Sequence, residues 1–447
     1  MKKLVQDRSM IKMHKSSMGF ILPLLAVCFF VSFVPEAAWP VTLDDAIKSA
    51  LGESYVIKEQ AEFVKRSRFS YISSIDPFLP RVDLDSNYIR TISPMTPIST
   101  YTSDLRDTTD SRDVYTFTGS ITWRIFDGGE RWAKRKGAFL VWEREKERFK
   151  SVREDVLFNI KSAFYTALGA KSIVGKRQEA LQAAQKIYNL TRGRYEEGVA
   201  KKSELLQAEV RLLNAKIDLQ RARKEYEKSL ESVKSLIIVQ TAGPFDVDGL
   251  LSEPSFRSDY KSLNDRALAT KPEIKTQEKE IDRLMRVYDE KRSAWFPKID
   301  SALQQTRQDT QFFPGGRSDA FIISFSFPLF DGVGRYYNMQ GAMSDVNAAR
   351  QRLAETKRTT SLDIARALKD YELSIEDVRM YTELVREATS NFDQLYGEYM
   401  EGKGDILNLL QSEKDLASAK ENYVGSLARA RVSLSYLEKA AYIGDRW

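Results

Sequence analysis

Thiols and imidazoles are the side chains most often used for nucleophilic, redox and metal chemistry. This chain of 447 residues has one of each, Cys28 and His14. Both lie in the first 38 residues, which the composition marks as a removable segment. The remainder then has no Cys or His. That excludes cysteine nucleophiles, disulfides, Ser-His-Asp triads, and His- or Cys-based metal and haem sites. No GxxxxGK phosphate loop occurs. Carboxylates and lysines could still act, but no clustered catalytic constellation is visible. The sequence therefore predicts a non-enzyme with no catalytic residue, no cofactor and no metal. The chemically suggestive residues form a doublet instead. Tyr195-x-Glu197-Gly198 recurs as Tyr399-x-Glu401-Gly402, with Glu204 and Asp405 close behind the two glycines.

The N-terminal segment has the parts of an export signal. Lys2, Lys3, Arg8, Lys12 and Lys15 precede an apolar run from Gly19 to Val34, and small residues follow at Ala37 and Ala38. The run is short of the ~20 residues of a membrane span and contains Pro23. Residues 1–38 are thus expected to be a signal peptide. A cut after Ala38 puts Glu36 at −3, and Leu25-Ala26-Val27-Cys28 is a weak lipoprotein pattern with a large residue before the Cys. Removal of the segment takes five basic and two acidic residues, so the net charge falls from +6 to +3. Such a balance argues against nucleic acid as a partner.

The rest of the chain is one plan written twice. Phe126-Asp127-Gly128 recurs as Phe330-Asp331-Gly332, 204 positions on. At the same offset, Gly137-Ala138 matches Gly341-Ala342, and Leu205-Leu206-Gln207-x-Glu209 matches Leu409-Leu410-Gln411-x-Glu413. Upstream, Phe78-Leu79-Pro80-Arg81-Val82-Asp83 matches Trp295-Phe296-Pro297-Lys298-Ile299-Asp300 at offset 217, so the first copy holds 13 extra residues in between. Residues 39–240 are read as the first repeat and 263–447 as the second. Residues 241–262, with Gly and two Pro, are read as a linker.

Each repeat predicts a helix, a strand pair and a long helical hairpin. The first helix is expected over 42–75, with Thr42 as N-cap and Asp44 and Asp45 in the first turn. Strands follow from period-2 alternation. Tyr115, Phe117, Ile121, Trp123 and Ile125 alternate with Thr116, Thr118, Ser120, Thr122 and Arg124. In the second copy Phe321, Ile323, Phe325 and Phe327 oppose Ser324 and Ser326. Partner strands set Val82, Leu84 and Tyr88 against Asp83, Asp85 and Asn87, and Ile299 and Leu303 against Asp300 and Gln304. Those polar residues are candidates to line a pore. Polar loops are expected at 93–111 and 308–318.

From Glu130 to Tyr195 no Pro intervenes, enough for a helix of ~100 Å. The return segment carries two apolar seams. One is Leu205, Ala208, Leu212, Ala215, Leu219, Ala222 and Tyr226, and the other is Leu206, Val210, Leu213 and Ile217. Two adjacent seams let one helix meet neighbours on both sides. The first seam recurs at Leu409, Ser412, Leu416, Ala419, Tyr423, Ser426 and Ala430. Asp127 and Asp331 are read as N-caps, the glycines at 128, 198, 332 and 402 as turn residues, and Lys201 and Lys202 as solvated. Four amphipathic strands cannot close a membrane barrel, and open edges are not tolerated in lipid. Several copies must therefore contribute strands, and the same copies would close the helices into a tube.

With its duplicated plan, Phe-Asp-Gly junctions, Tyr-x-x-Gly tips and Leu-Leu-Gln-x-Glu runs, the chain resembles the TolC-like outer-membrane efflux proteins over nearly all of residues 39–447. The resemblance implies a mainly helical fold with β structure. It implies a homotrimer whose protomers give four strands each to a twelve-stranded transmembrane barrel above a twelve-helix periplasmic tunnel. The protein would sit in outer-membrane lipid with a periplasmic extension. It would be a passive exit duct for small molecules, partnered by a periplasmic adaptor and an inner-membrane pump. The tips Gly198, Val199, Ala200, Gly402, Lys403 and Gly404 would contact the adaptor. The entrance would be formed by Glu204, Gln207, Tyr399, Asp405, Asn408 and Gln411. Two positions commonly Asp in the family are Asn408 and Gln411 here, and an Arg that helps lock the closed entrance is Gly404. The acidity of the entrance then falls to Asp405 and Glu204. Two alternatives stay open at the level of sequence: an outer-membrane duct for protein secretion, and a periplasmic coiled-coil scaffold without a barrel.

Overall fold

The computed structural model describes residues 39–94, 109–237 and 245–443. The expected signal segment 1–38, with Cys28 and His14, lies outside them. Among the described residues no helix is long and apolar enough to cross a membrane.

The chain opens with a short strand, β1 (Trp39–Val41), then α1 (Leu43–Glu53) and α2 (Tyr55–Ser73). Thr42 caps α1 as expected, its hydroxyl accepting from the Asp45 amide at 3.3 Å. The single helix expected over 42–75 is instead broken at Ser54, whose ψ of 122° leaves the helical region. A single turn at Asp76–Phe78 leads into the hairpin β2 (Arg81–Pro94) and β3 (Thr109–Phe126). Then come α3 (Glu130–Glu196) and α4 (Lys202–Ile237).

The expected linker is partly structured. It contains β4 (Phe245–Val247), which pairs in parallel with β1, and the start of α5 (Tyr260–Thr270). The second copy continues with α6 (Pro272–Ser293), β5 (Lys298–Asp309), β6 (Gly316–Ser326), α7 (Gly334–Met400) and α8 (Ile406–Ala441). Every boundary of α7 and α8 lies 204 positions after its counterpart in α3 and α4. The long helices have 67 residues and the return helices 36. At ~1.5 Å per residue the long helices are about 100 Å from end to end.

The four long strands form one antiparallel sheet in the order β2-β3-β5-β6, leaving β2 and β6 as edges. The register sorts the side chains by chemistry. Val82, Ile121, Leu303 and Phe321 share one row, with Trp123 and Ile323 in the next row on the same face. The opposite face carries Asp83, Ser120 and Gln304 in one row and Asp85, Thr118, Thr306 and Ser318 in another. The strands extend into both expected loops, reaching 94 and 109 in the first hairpin and 309 and 316 in the second. The hairpin β2–β3 is therefore the taller, which is where the extra residues of the first copy go.

Below the sheet the helices form a ribbon. Near the sheet the order is α2, α3, α6, α7, and toward the far end it is α4, α3, α8, α7. Two equivalent cores fasten it at mid-height. One packs Ile47 and Ala50 against Ile160, Phe164, Val233, Ile237 and Val247. The other packs Leu263 and Ala267 against Ile364, Ala367, Tyr371 and Leu437. Each fully buried large apolar side chain contributes about 1.5–3 kcal/mol.

The sheet joins the helices through two arginines. Asp127 is buried and accepts from the amides of Gly129 and Arg131, both at 3.1 Å. It also holds the Arg131 side chain at 2.7 Å. Arg131 then donates to the carbonyls of Pro77, Arg124 and Ile125 at 3.0, 2.7 and 3.2 Å. Asp127 thus satisfies first-turn amides from outside the cap position. Asp331 does not act as the expected N-cap. Its described bonds go to the Arg335 side chain, which in turn donates to the Pro328 carbonyl at 3.0 Å. Gly128 has φ +67°, and a Cβ there would stand 2.6 Å from the Phe296 Cβ and 2.7 Å from the Ser293 carbonyl. Both the turn and the close approach require glycine.

Candidate functional site: the helical tips

The end of the ribbon far from the sheet is built from two equivalent turns. At the first, the Gly198 amide donates to Tyr195 O at 3.0 Å and the Val199 amide to Arg194 O at 2.8 Å. At the second, Gly402 donates to Tyr399 O at 3.1 Å and Lys403 to Glu398 O at 2.9 Å. Each is a Schellman ending, in which a residue with positive φ closes the last helical carbonyls. Gly198 and Gly402 supply that residue, at φ +77° and +81°. The turn reading of these glycines is what the geometry displays. Gly198, Val199, Gly402 and Lys403 are all exposed, with Ala200 and Gly404 half-buried behind them.

The two tyrosines of the doublet have different surroundings. Tyr195 is 39% exposed, whereas Tyr399 is 2% exposed. The Tyr399 ring belongs to a small core with Ile187, Ile406 and Leu409, where α3 meets α7 and α8. Its hydroxyl pairs with that of buried Thr191 at 3.1 Å, and Thr191 donates to the Ile187 carbonyl at 2.9 Å. Arg194 donates to the Tyr399 carbonyl and lies 4.7 Å from the ring centroid. The two hairpins are therefore latched at the tip by Thr191 and Arg194 of α3 holding Tyr399 of α7. Position 404 has no room for a side chain, since a Cβ there would meet the Tyr399 amide nitrogen at 2.7 Å. The latching guanidinium comes instead from the other hairpin.

The sequence doublet singled out Tyr399 but gave no sign of Thr191 or Arg194. Each is a lone polar residue in a helix, and only the pairing of the hairpins gives it a partner.

The remaining predicted entrance residues follow the first turns of the return helices. Asp405 is the N-cap residue of α8 but its side chain makes no capping bond. Asp405, Asn408 and Gln411 are exposed at helical spacing, and Gln411 donates to Asp415 at 2.7 Å. Asp415 extends this polar stripe and was not singled out by the repeat, although its i+4 relation to Gln411 is a signal in the sequence. Glu204 and Gln207 are half-buried on α4 and are not brought together with the Asp405 stripe by a described bond.

Above the tip lies a buried ionic junction. Arg211 of α4 pairs with Glu413 of α8, and their side chains are only 11% and 2% exposed. Arg177 of α3 reaches both Asp218 of α4 at 3.4 Å and Glu421 of α8. One Glu413 oxygen, Oε1, has no hydrogen-bond partner. Burial pushes the Glu413 carboxyl above its ordinary value of 4.5, with the bond from Arg211 opposing the shift. At mid-height Asp246 shows the opposite result. Burial raises it, but bonds from Lys171 and Tyr226 outweigh burial and hold it below 3.8. No group of three or more His, Cys, Asp or Glu suited to a metal occurs among the described residues.

Comparison with known proteins agrees with this architecture. The family model described as "Outer membrane efflux protein" matches twice, over residues 46–237 and 263–441. Protein CyaE of Bordetella pertussis is 23% identical over 338 residues, which is 73% of this chain and 70% of the relative. The probable efflux pump outer membrane protein TtgC of Pseudomonas putida is 22% identical over 310 residues, 67% of this chain and 62% of TtgC. The fold is that of solved outer-membrane channels. CmeC of Campylobacter jejuni superposes with a TM-score of 0.77 at 14% identity, covering 89% of this chain and 85% of CmeC. The open state of MtrE from Neisseria gonorrhoeae gives 0.75 at 17% identity, covering 89% and 88%. The duplicated helical ribbon, the four-stranded sheet and the double family match lead to one conclusion: the chain belongs to the outer membrane efflux protein family and is a protein of the outer membrane.

Proposed function

We propose that this protein is the passive exit duct of a tripartite efflux system, formed by three copies that close a twelve-stranded barrel and a helical tunnel. The observation that carries the reading is the sheet. It has one apolar face, one polar face and two unpaired edges, β2 and β6. Backbone edges cannot remain open in lipid. A ring of three copies pairs every edge, faces the apolar rows outward and lines the pore with Asp83, Asp85, Asn87 and Asp300. The helices support the same closure. The second seam of α4 is bare, with Leu206, Val210, Leu213 and Ile217 between 48% and 58% exposed. On the other border of the ribbon, α7 exposes Leu373, Met380 and Leu384. A neighbouring copy brings these two borders together.

In this reading the tips form the periplasmic entrance. The Thr191–Tyr399–Arg194 latch holds them narrow, and the stripe Asp405–Asn408–Gln411 with Glu204 and Gln207 sets the polarity of the passage. The exposed turns Gly198–Ala200 and Gly402–Gly404 dock a periplasmic adaptor, through which an inner-membrane pump delivers small molecules. Two relatives, TtgC and the antibiotic efflux pump outer membrane protein ArpC, are described as efflux-pump components, which supports efflux over a secretion duct or a scaffold. Nothing in this role requires catalysis. The test is cysteine cross-linking between edges, one cysteine walked along β2 around Leu84 and the other along β6 around Ile323. A ladder on a denaturing gel ending at three subunits is expected. A ladder ending elsewhere, or none at any pair of positions, contradicts the closure.

A further inference from the structure

The apolar face of the sheet ends in a row that does not suit hydrocarbon. Phe117, Arg307 and Arg317 are consecutive partners across β3, β5 and β6, and they share the face of Ile121, Leu303 and Phe321. Arg307 and Arg317 are therefore directly opposed, with Cβ atoms about 5 Å apart, and like charges so placed destabilise a sheet. One carboxylate, Asp319, serves both. Arg317 holds Asp319 at 2.8 Å, and the charge of Arg307 also acts on that carboxylate without a direct ion pair. Both guanidinium groups are exposed.

The surroundings give the pair its level in the membrane. Tyr88, Tyr115, Phe117, Phe312 and Phe313 form a chain of aromatic contacts beside it, with centroid separations of 4.9, 5.6, 6.5 and 5.0 Å. Phe312 and Phe313 are 61% and 85% exposed. Aromatic girdles mark the boundary between hydrocarbon and headgroups on barrels, and arginine on the lipid side is tolerated there rather than at mid-depth. Two forked cations at that level, sharing one carboxylate and so leaving a net positive charge, suit an oxyanion able to accept from both.

We propose that Arg307 and Arg317 form a binding site for the phosphate of a lipid headgroup in the leaflet remote from the helices. The phosphate bridges the opposed guanidiniums while the acyl chains lie along Leu303, Phe321 and Ile323. The assignment rests on the closed barrel proposed above, which turns this face to lipid.

The test uses the purified full-length assembly in neutral detergent, with native mass spectrometry as the readout. The probes are the phosphorylated glycolipid lipid A, its dephosphorylated form and inorganic phosphate. Lipid A is expected to bind, and the doubly substituted Arg307→Gln/Arg317→Gln protein to bind it at least about tenfold more weakly, as expected for loss of charge-assisted contacts. Arg81→Gln, on the opposite face, should bind like the wild type. The single-channel step of the doubly substituted protein should be unchanged. Equal binding of the dephosphorylated lipid, undiminished binding by the doubly substituted protein, or full competition by equimolar inorganic phosphate would each overturn the headgroup site while leaving the duct intact. A wild type that neither conducts nor binds lipid A would remove the barrel, and the site with it.

Discussion

At the scale of residues, two buried clusters tie the hairpins together, one at the tip and one above it. Tyr399→Phe removes one hydrogen bond, worth about 1 kcal/mol, without disturbing the ring in its core. Arg194→Ala removes both the bond to the Tyr399 carbonyl and the contact with its ring. Both variants should open more often in planar bilayers than the wild type, Arg194→Ala more so. Unchanged gating in both would show that the latch is only packing. Glu413 gives a prediction in pH. Its folded-state pKa lies above the ordinary 4.5 because burial disfavours the charge. Its contribution to stability is therefore complete below 4.5 and is lost as pH rises through the raised value. Glu413→Gln, which can still accept from Arg211, should lose less thermal stability than the wild type between 4.5 and neutral pH. Parallel melting curves would contradict this. Glu413→Ala leaves Arg211 buried without a partner and should cost about 3 kcal/mol in chemical denaturation.

At the scale of elements, the informative surface is the bare seam of α4. Leu213→Asp puts a charge on a side chain that is 51% exposed in the single protomer. Helix content by circular dichroism should hold while the assembled particle is lost in size-exclusion chromatography. Retention of the assembly would mean that this seam is not a contact between copies. The same helix illustrates how far the sequence could be read. Leu212, Ala215 and Leu219 are buried, the first two in a core with Ala184 of α3, so the first of the two seams is the one the structure shows in contact. Period-2 alternation likewise placed Val82, Ile121 and Trp123 on one face of the sheet. The break at Ser54 left only a faint mark, Gly52 and Ser54 within an otherwise helical stretch, and two such residues are too weak a signal to divide a helix by themselves. Strands β1 and β4 were not legible, since three residues are too few for a periodicity to emerge. Thr191 and Arg194 were invisible for a different reason: a latch between hairpins depends on their relative placement, which no local pattern encodes.

At the scale of the molecule, the duplication explains why one chain can carry both a four-stranded sheet and a long helical ribbon. Two copies of a helix–hairpin–hairpin plan give four strands and two long helical hairpins in fixed register, held by equivalent cores around Phe164 and Ile364. Neither half closes anything alone, and one chain leaves two open edges at every level. The account's central claim is that identical copies complete these edges to form a conducting pore. Planar-bilayer conductance of the detergent-purified protein, with the particle mass determined in parallel, tests it most directly. Discrete current steps from a particle of three subunits are the predicted result. A water-soluble particle that never inserts and never conducts would contradict it.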